Sequence, residues 1–215
     1  MKEQDKPVAV LSGDIIGSTT LSHGEYEDLL YTLRNELTFV CSLYKNNHFE
    51  INRGDSFQVL VYDAEHAAKY ALLIKTGLRQ INKGYDCRVS IGIGKDVSFR
   101  HYPGNSTGDS FTLSGRTLNE MTSETIKITT PNSTFNEQFE LLTRYLDHQV
   151  SELTIRQCEI MHVLLRNNES LTQKKVAEIL DVSRVSVHRS MHTANLKLIT
   201  DYVDLFSKKV REFFF

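Results

Sequence analysis

The chain is short of the residues that cross-link or rigidify a protein. It has no tryptophan, 3 prolines and 3 cysteines among 215 residues. The cysteines, Cys41, Cys87 and Cys158, lie far apart, are odd in number and form no CxxC pair. This pattern argues against a disulfide framework and against a zinc site. It predicts reduced thiols in a cytoplasmic protein.

Long apolar runs and a strong net charge are also absent. No apolar run approaches the length of a membrane span and no signal peptide is recognisable, so we expect a soluble chain without a membrane partner. The net charge of −2 excludes a uniformly basic coat for nucleic acid. Charge is uneven, however, because residues 156–197 hold seven Lys or Arg against four Asp or Glu. We interpret this stretch as a small cationic module.

The first 130 residues alternate strand and helix patterns. Apolar or alternating runs predict strands at residues 8–11, 49–51, 57–62, 87–93 and 125–130. Helical spacing predicts helices at residues 26–44, 64–81 and 111–121, with a loop rich in Gly, Pro, Asn and Ser at 102–108. The order β-α-β-β-α-β is that of a split βαβ, ferredoxin-like sheet with helices on one face.

Beyond residue 130 the sequence predicts helices alone. Residues 135–150 are expected to begin irregularly and end as a helix. Thr154-x-x-Gln157 is a capping box for a helix at 155–166, and a last helix covers 196–215. The predicted fold class is therefore α+β, with a ferredoxin-like domain at 1–150 and an all-α helix-turn-helix domain at 151–215. The three terminal phenylalanines predict docking on a partner subunit or on the other domain, or else a frayed end.

Residues 171–195 predict two short helices joined by a tight turn. Thr172 and Ser183 occupy N-cap positions, and Val176 and Val187 have the spacing of a small shared core. These features fit a helix-turn-helix whose second helix could lie in the major groove of DNA. Asp181 stands in the turn where a glycine is usual. The alternatives are a helical hairpin that only packs and a protein-interaction surface on the second helix.

The DNA-contacting side chains can be assigned from their positions on the two helices. The predicted contacts to base edges are Arg184, Val185, Ser186, His188 and Arg189, and the predicted contacts to phosphates are Thr172, Lys174, Lys175 and Ser183. One such module covers few base pairs. We therefore expect a homodimer on palindromic double-stranded DNA.

Three residues of the front domain have positions that suggest chemistry. Asp14 ends the first strand, Asp55 lies at the tip of the hairpin, and Arg116 lies on the helix after the loop. In a split βαβ sheet the first strand and the hairpin are neighbours, so the two carboxylates could share a cation such as Mg²⁺ or Mn²⁺. An arginine facing the same cleft would neutralise a phosphate. The alternative is the ordinary turn chemistry of Gly-Asp pairs.

These residues lie in motifs that resemble a known family. GDIIGST at 13–19, GDSF at 54–57, RVSIGIG at 88–94 and GDSFTLSGR at 108–116 resemble, in order, four signature segments of class III nucleotidyl cyclases. The first and second motifs are also similar to those of SatD-like bacterial proteins. The resemblance covers about residues 7–130. It implies a cyclase-like domain in which Asp14 and Asp55 hold metal ions and Arg116 stabilises the transition state.

The motifs depart from the cyclase pattern at the positions that hold the nucleotide. Thr112 replaces the asparagine that orients the ribose. Ile51 and, in the loop, Asn105 stand where the cyclases have the Lys and Asp that read the purine. The resemblance therefore implies a degenerate domain without catalytic residues, in which Thr112 and Arg116 could contact a nucleotide or another phosphate-containing ligand. An active cyclase and a scaffold used only for assembly are the alternatives.

The rear part resembles a second family. LTIRQ at 153–157 and EIMHVLL at 159–165, followed by the predicted helix-turn-helix, are similar to region 4 of sigma factors over about residues 151–200. Together the two resemblances imply a bacterial, cytoplasmic DNA-binding transcription regulator. Its front domain would sense a ligand or mediate dimerisation.

Overall fold

The computed structural model describes residues 6–52, 55–95, 97–167 and 171–215. The strands are β1 (Val8–Ile15), β2 (His48–Asn52), β3 (Ser56–Val61), β4 (Cys87–Gly94), β5 (Val97–Arg100), β6 (Tyr102–Gly108) and β7 (Ile126–Thr129). The helices are α1 (His23–Ser42), α2 (Ala67–Arg79), α3 (Asp109–Glu120), α4 (Ser133–Ser151), α5 (Ile155–Arg166), α6 (Gln173–Ile179), α7 (Arg184–Thr193) and α8 (Leu196–Phe214). Within those ranges, no helix has both the length and the apolar content that a bilayer crossing needs.

The front of the chain forms a five-stranded sheet in the order β2-β3-β1-β4-β7. Strand β1 pairs antiparallel with both β3 and β4, β2 pairs antiparallel with β3, and β7 adds to β4 in parallel. The order of the first four strands is that of a split βαβ unit. The predicted α+β class and the ferredoxin-like sheet are therefore confirmed. Part of the predicted hairpin turn, residues 53–54, lies outside the described ranges.

Helices cover both faces of this sheet, whereas the sequence predicted them on one face. Because strand residues alternate between faces, Leu11 and Ile91 join the core under α1 and α2, while Val10 and Leu60 pack with Phe111 of α3 on the other side. Helix α3 approaches the sheet at Gly92. A Cβ on that residue would lie 2.3 Å from the Ser110 carbonyl oxygen. Helix α3 can pack this closely on the sheet because Gly92 has no side chain.

Two element predictions were wrong in detail. Residues 102–108, predicted as a loop from their composition, form strand β6, which pairs with β5 as a separate hairpin. Strand formation here follows from the partner strand, which composition does not reveal. Helix α4 is helical from Ser133 onwards, because the Asn132 side chain caps it by accepting a hydrogen bond from the Phe135 N–H.

The helices of the rear half share one continuous core with the front sheet. Buried residues run from β1 to α8 in a single cluster. The tail belongs to this core, since the rings of Phe213 and Phe214 pack edge-on against Phe135 of α4. Phe215 stays 47% exposed. The division into domains at residue 150 remains a prediction.

Polar contacts join the two halves behind the sheet. The buried Glu36 carboxylate accepts hydrogen bonds from Arg166 at 3.1 and 3.2 Å, and His162 Nε2 lies 3.3 Å from it. Arg79 donates to the Ser151 carbonyl at 2.7 Å and to the Leu153 carbonyl at 3.3 Å. The connection between α4 and α5 is therefore held by hydrogen bonds from α2.

Candidate functional site

The end of β1 and the start of β3 form a cleft that contains both predicted metal-binding carboxylates. Asp14 lies opposite Ser56 in the strand register, and the Ile15 N–H donates to the Asp55 carbonyl at 3.0 Å. Asp14 and Asp55 both line this cleft of 610 Å³, together with Glu124 and residues that precede β7. The predicted proximity of the two carboxylates is therefore present.

Asp14 is engaged by an arginine that the sequence interpretation missed. Arg88 stands directly opposite Asp14 on β4. Its Nε donates to Asp14 Oδ1 at 2.9 Å and its Nη2 to Oδ2 at 2.5 Å, so the pair is bidentate. The hydrogen bonds to Asp14 raise the pKa of the Arg88 guanidinium above its usual value. The alternation of β4 was readable in the sequence, but its register against Asp14 was not.

The remaining carboxylates of the cleft are held by other donors. Asp55 Oδ2 accepts a hydrogen bond from the Ser18 hydroxyl at 2.7 Å. Glu124 accepts from the backbone N–H groups of Thr122 and Ser123, each at 3.2 Å. Hydrogen bonds from its own N–H and from that of Thr122 are the largest causes that lower the pKa of Glu124. The cleft thus sets three carboxylates against one guanidinium, which disfavours a free phosphate.

The two carboxylates predicted to hold a metal ion are already engaged by protein donors. Both oxygens of Asp14 are occupied by Arg88, and Asp55 has one oxygen bound by Ser18. In the described part of the chain, no group of three or more His, Cys, Asp and Glu side chains is arranged to hold a metal ion. A Mg²⁺ or Mn²⁺ site at Asp14 and Asp55 therefore stays a prediction from the sequence.

The two predicted ligand-binding residues lie elsewhere on the surface. Thr112 and Arg116 are exposed on consecutive turns of α3, and neither lines the cleft of Asp14 and Asp55. The structure brings the two carboxylates together but does not bring Arg116 to them. A phosphate bound in the cleft would therefore meet Arg88 and not Arg116.

The turn between α6 and α7 is built by capping interactions at both of its ends. The Thr172 hydroxyl accepts from the Lys175 N–H at 3.2 Å, and the Ser183 hydroxyl accepts from the Ser186 N–H at 3.1 Å. Both predicted N-caps are confirmed. Helix α6 ends with Asp181 in the left-handed region at φ 50, a conformation that aspartate tolerates better than most residues.

A Schellman motif closes α6 at this point. The Val182 N–H donates to the Ala177 carbonyl at 3.0 Å and the Asp181 N–H to the Glu178 carbonyl at 3.5 Å. Val176 and Val187 are each 0% exposed between the two helices. Buried apolar contacts and caps thus fix the crossing of α6 and α7, as the spacing predicted.

The outer face of α7 carries the predicted base-contacting side chains. Arg184, His188 and Arg189 are exposed, and Val185 is 68% exposed. The ion pairs nearby involve Arg156, Lys175 and Lys197. Within the described residues, neither Arg184 nor Arg189 has a carboxylate partner. His188 Nδ1 lies 3.4 Å from Gln173 Nε2, a contact that ties α7 to the start of α6.

The predicted phosphate contacts lie beside this face. Lys174 is exposed, and Lys175 is exposed in a surface pair with Glu178 at 3.4 Å. Ser186 is half-buried, and its N–H donates to the Ser183 hydroxyl at 3.1 Å. All nine residues predicted for DNA contact therefore lie on or beside one surface formed by α6 and α7, which we call the α6–α7 surface.

Comparison with known proteins gives matches among solved structures only. No protein-family model matches this chain, and no curated protein matches it. It is similar to the guanylyl cyclase Cya2, at 19% identity and a TM-score of 0.45, over 58% of this chain and 75% of that chain. It is similar to the adenylyl cyclase CyaB from P. aeruginosa, at 19% identity and a TM-score of 0.44, over 65% of this chain and 81% of that chain.

A third similar structure is the guanylate cyclase domain of RhGC from Catenaria anguillulae in complex with GTP. The identity is 18% and the TM-score 0.40, over 54% of this chain and 73% of that chain. All three TM-scores lie below 0.5. The fold described above therefore rests on this chain's own strand order and register.

Proposed function

We propose that this chain is a bacterial DNA-binding transcription regulator in which α6 and α7 form a helix-turn-helix. The observation that carries the proposal is the exposed cationic face of α7, with Arg184 and Arg189 free of carboxylate partners in the described residues. Both guanidinium groups are therefore available to a partner outside the chain. A phosphate backbone supplies the counter-charge that they lack.

The proposed docking places α7 in the major groove. Arg184 and Arg189 can each form two hydrogen bonds to the edge of a guanine, and Val185 offers an apolar contact to a thymine methyl group. Thr172, Lys174 and Lys175 would lie along the phosphate backbone, which fixes the register of the helix. The capped turn at Asp181 would hold the phosphate-contacting residues of α6 at a fixed position relative to the base-contacting residues of α7.

The front sheet would serve assembly or sensing in this proposal. Its motif resemblance to class III cyclases and to SatD-like proteins, and the resemblance of the rear helices to region 4 of sigma factors, support two functional parts at residues 1–150 and 151–215. The charge balance of the cleft at Asp14 favours assembly over phosphate binding. We propose a homodimer, because one helix-turn-helix covers few base pairs.

Selection of genomic DNA fragments by the full chain tests this function. The expected result is enrichment of a common site with two-fold related half-sites about one helical turn apart. Random duplex of the same length is the control. A chain that binds its enriched fragments no more tightly than random duplex would contradict the proposal.

Replacement of Arg189 by alanine should weaken specific binding by about 1–3 kcal/mol, because one bidentate base contact is lost. This corresponds to a roughly 5- to 150-fold increase in Kd. Fluorescence anisotropy with the selected duplex measures the change. Arg34→Ala is the matched control, since Arg34 is an exposed arginine on α1. Equal losses in the two variants would show that Arg189 contributes charge alone.

Replacement of both Lys174 and Lys175 by alanine should reduce the salt dependence of DNA binding. Each lost phosphate contact lowers the slope of log Kd against log salt concentration by about 1. The loss should be similar on specific and random duplexes, because phosphates carry no sequence information. The control is the pair Lys208→Ala and Lys209→Ala on α8. An unchanged slope in the Lys174 and Lys175 variant would remove these lysines from the interface.

A further inference from the structure

Helices α4 and α8 expose several large apolar side chains to solvent. Among the described residues, these side chains are Leu141 (58% exposed), Leu142 (41%), Tyr145 (68%), Leu198 (59%) and Leu205 (38%). We call this the α4–α8 face. Singly exposed apolar residues are ordinary, but a contiguous group of this kind marks an interaction site.

Four side chains of the α4–α8 face, Leu142, Tyr145, Leu198 and Leu205, line a groove of 840 Å³. At one end Gln149 donates to the Ala194 and Asn195 carbonyls at 2.7 and 3.1 Å. Tyr202, which lines the groove, shares a hydrogen bond of 2.6 Å between hydroxyls with the buried Thr143. These bonds fix α4 against α8, so little conformational entropy remains to be lost when the face is covered.

Two charged side chains at the C-terminal end of α4 are complementary to the same two side chains of a second, antiparallel copy. Arg144 and Glu152 are both exposed, lie about two helical turns apart, and have no ion-pair partner among the residues that the structure describes. A two-fold axis near His148 brings Arg144 of each copy toward Glu152 of the other. A single surface that carries both members of a complementary pair is what an isologous contact requires.

We infer that a second copy of this chain covers the α4–α8 face, with α4 packed antiparallel against α4 of the partner. The contact would bury the five apolar side chains of this face in each copy. Thr193, the last residue of α7, also lines the groove. Two copies of α7 would therefore flank the dimer, a consequence that rests on the proposed function.

Sedimentation equilibrium and light scattering of the full chain, without DNA, test the dimer. We expect wild-type dimers at micromolar concentration and at least roughly tenfold weaker association for Tyr145→Asp. Tyr31→Asp is the matched control, because Tyr31 is a 70% exposed tyrosine on α1. Arg144→Glu and Glu152→Arg should each weaken the dimer, and the double variant should recover most of the loss.

The results that would overturn the inference are specific. A wild-type chain that is monomeric would overturn it, whether or not its groove binds an apolar dye. So would a dimer that Tyr145→Asp does not weaken, or one that Tyr31→Asp weakens equally. The last contradicting result is a charge-swapped double variant that does not recover association. Circular dichroism checks that each variant is folded. Because no DNA is present, a monomeric result leaves the proposed DNA binding to be judged by its own measurements.

Discussion

Replacement of Asp86 by alanine should lower the free energy of unfolding by about 3–5 kcal/mol, the usual result of breaking a buried ion pair from one side. Lys75 is 0% exposed, and its Nζ lies 2.6 Å from Asp86 Oδ1. Arg79 Nη1 lies 2.9 Å from the other carboxylate oxygen. Without Asp86, two buried cations face each other with no counter-charge, and Arg79 loses the anchor that orients it toward the connection between α4 and α5.

Urea unfolding followed by circular dichroism measures this loss. Asp201→Ala is the control, because Asp201 is an exposed carboxylate paired with Lys197 on the surface of α8. Such exposed pairs contribute about 0–1 kcal/mol. A loss in the Asp86 variant no larger than that in the Asp201 variant would mean that Lys75 and Arg79 do not depend on Asp86.

Replacement of Phe135 by alanine should cost about 3–5 kcal/mol, the range for a large aromatic side chain in a core. Phe135 is 0% exposed and is the centre of the aromatic cluster that joins α4 to α8. Its ring centroid lies 4.5 Å from that of Phe139 and between 5.5 and 6.0 Å from those of Phe206, Phe213 and Phe214. Its removal would leave a cavity between α4 and α8 and would take away the ring that the other four aromatic residues contact.

Phe215 provides the matched control for this prediction. Its side chain is 47% exposed, so Phe215→Ala should change the free energy of unfolding by no more than about 0.5 kcal/mol. Thermal unfolding of both variants under one condition compares them directly. Similar small effects in the two variants would mean that the C-terminal helix is not docked on α4.

Local signals in the sequence predicted the helices and their ends well. Thr154-x-x-Gln157 predicted α5 at 155–166, and the structure has the capping box and the helix at those positions. Thr172 and Ser183 predicted the starts of α6 and α7. These signals could be read because a cap is a contact between residues three positions apart. The alternation of apolar residues likewise identified the strands of the five-stranded sheet.

Contacts between distant segments could not be read from one sequence. Strand β6 exists because β5 pairs with it, and α3 lies on the second face because Gly92 leaves room for it. The pairing of Asp14 with Arg88 depends on the register of two strands separated by more than 70 residues. For this reason the sequence predicted that Asp14 and Asp55 lie near each other, but it did not predict that the Arg88 guanidinium binds Asp14.

The α6–α7 surface was more predictable than the front cleft. Its residues lie within one short segment, so helical spacing alone separates the buried Val187 from the exposed Arg184 and Arg189. What the spacing cannot supply is the partner that this surface binds. A DNA duplex is the proposed partner, and the titration below tests it.

The most direct test is titration of a labelled duplex that carries the selected site with the wild-type chain and with Arg184→Glu/Arg189→Glu. The variant reverses the charge of α7 at two exposed positions and should keep the wild-type unfolding temperature. We expect the wild type to bind the site in preference to random duplex and the variant to lose that binding. A variant that binds as tightly as the wild type, or a wild type that binds neither duplex, would contradict DNA recognition by α7.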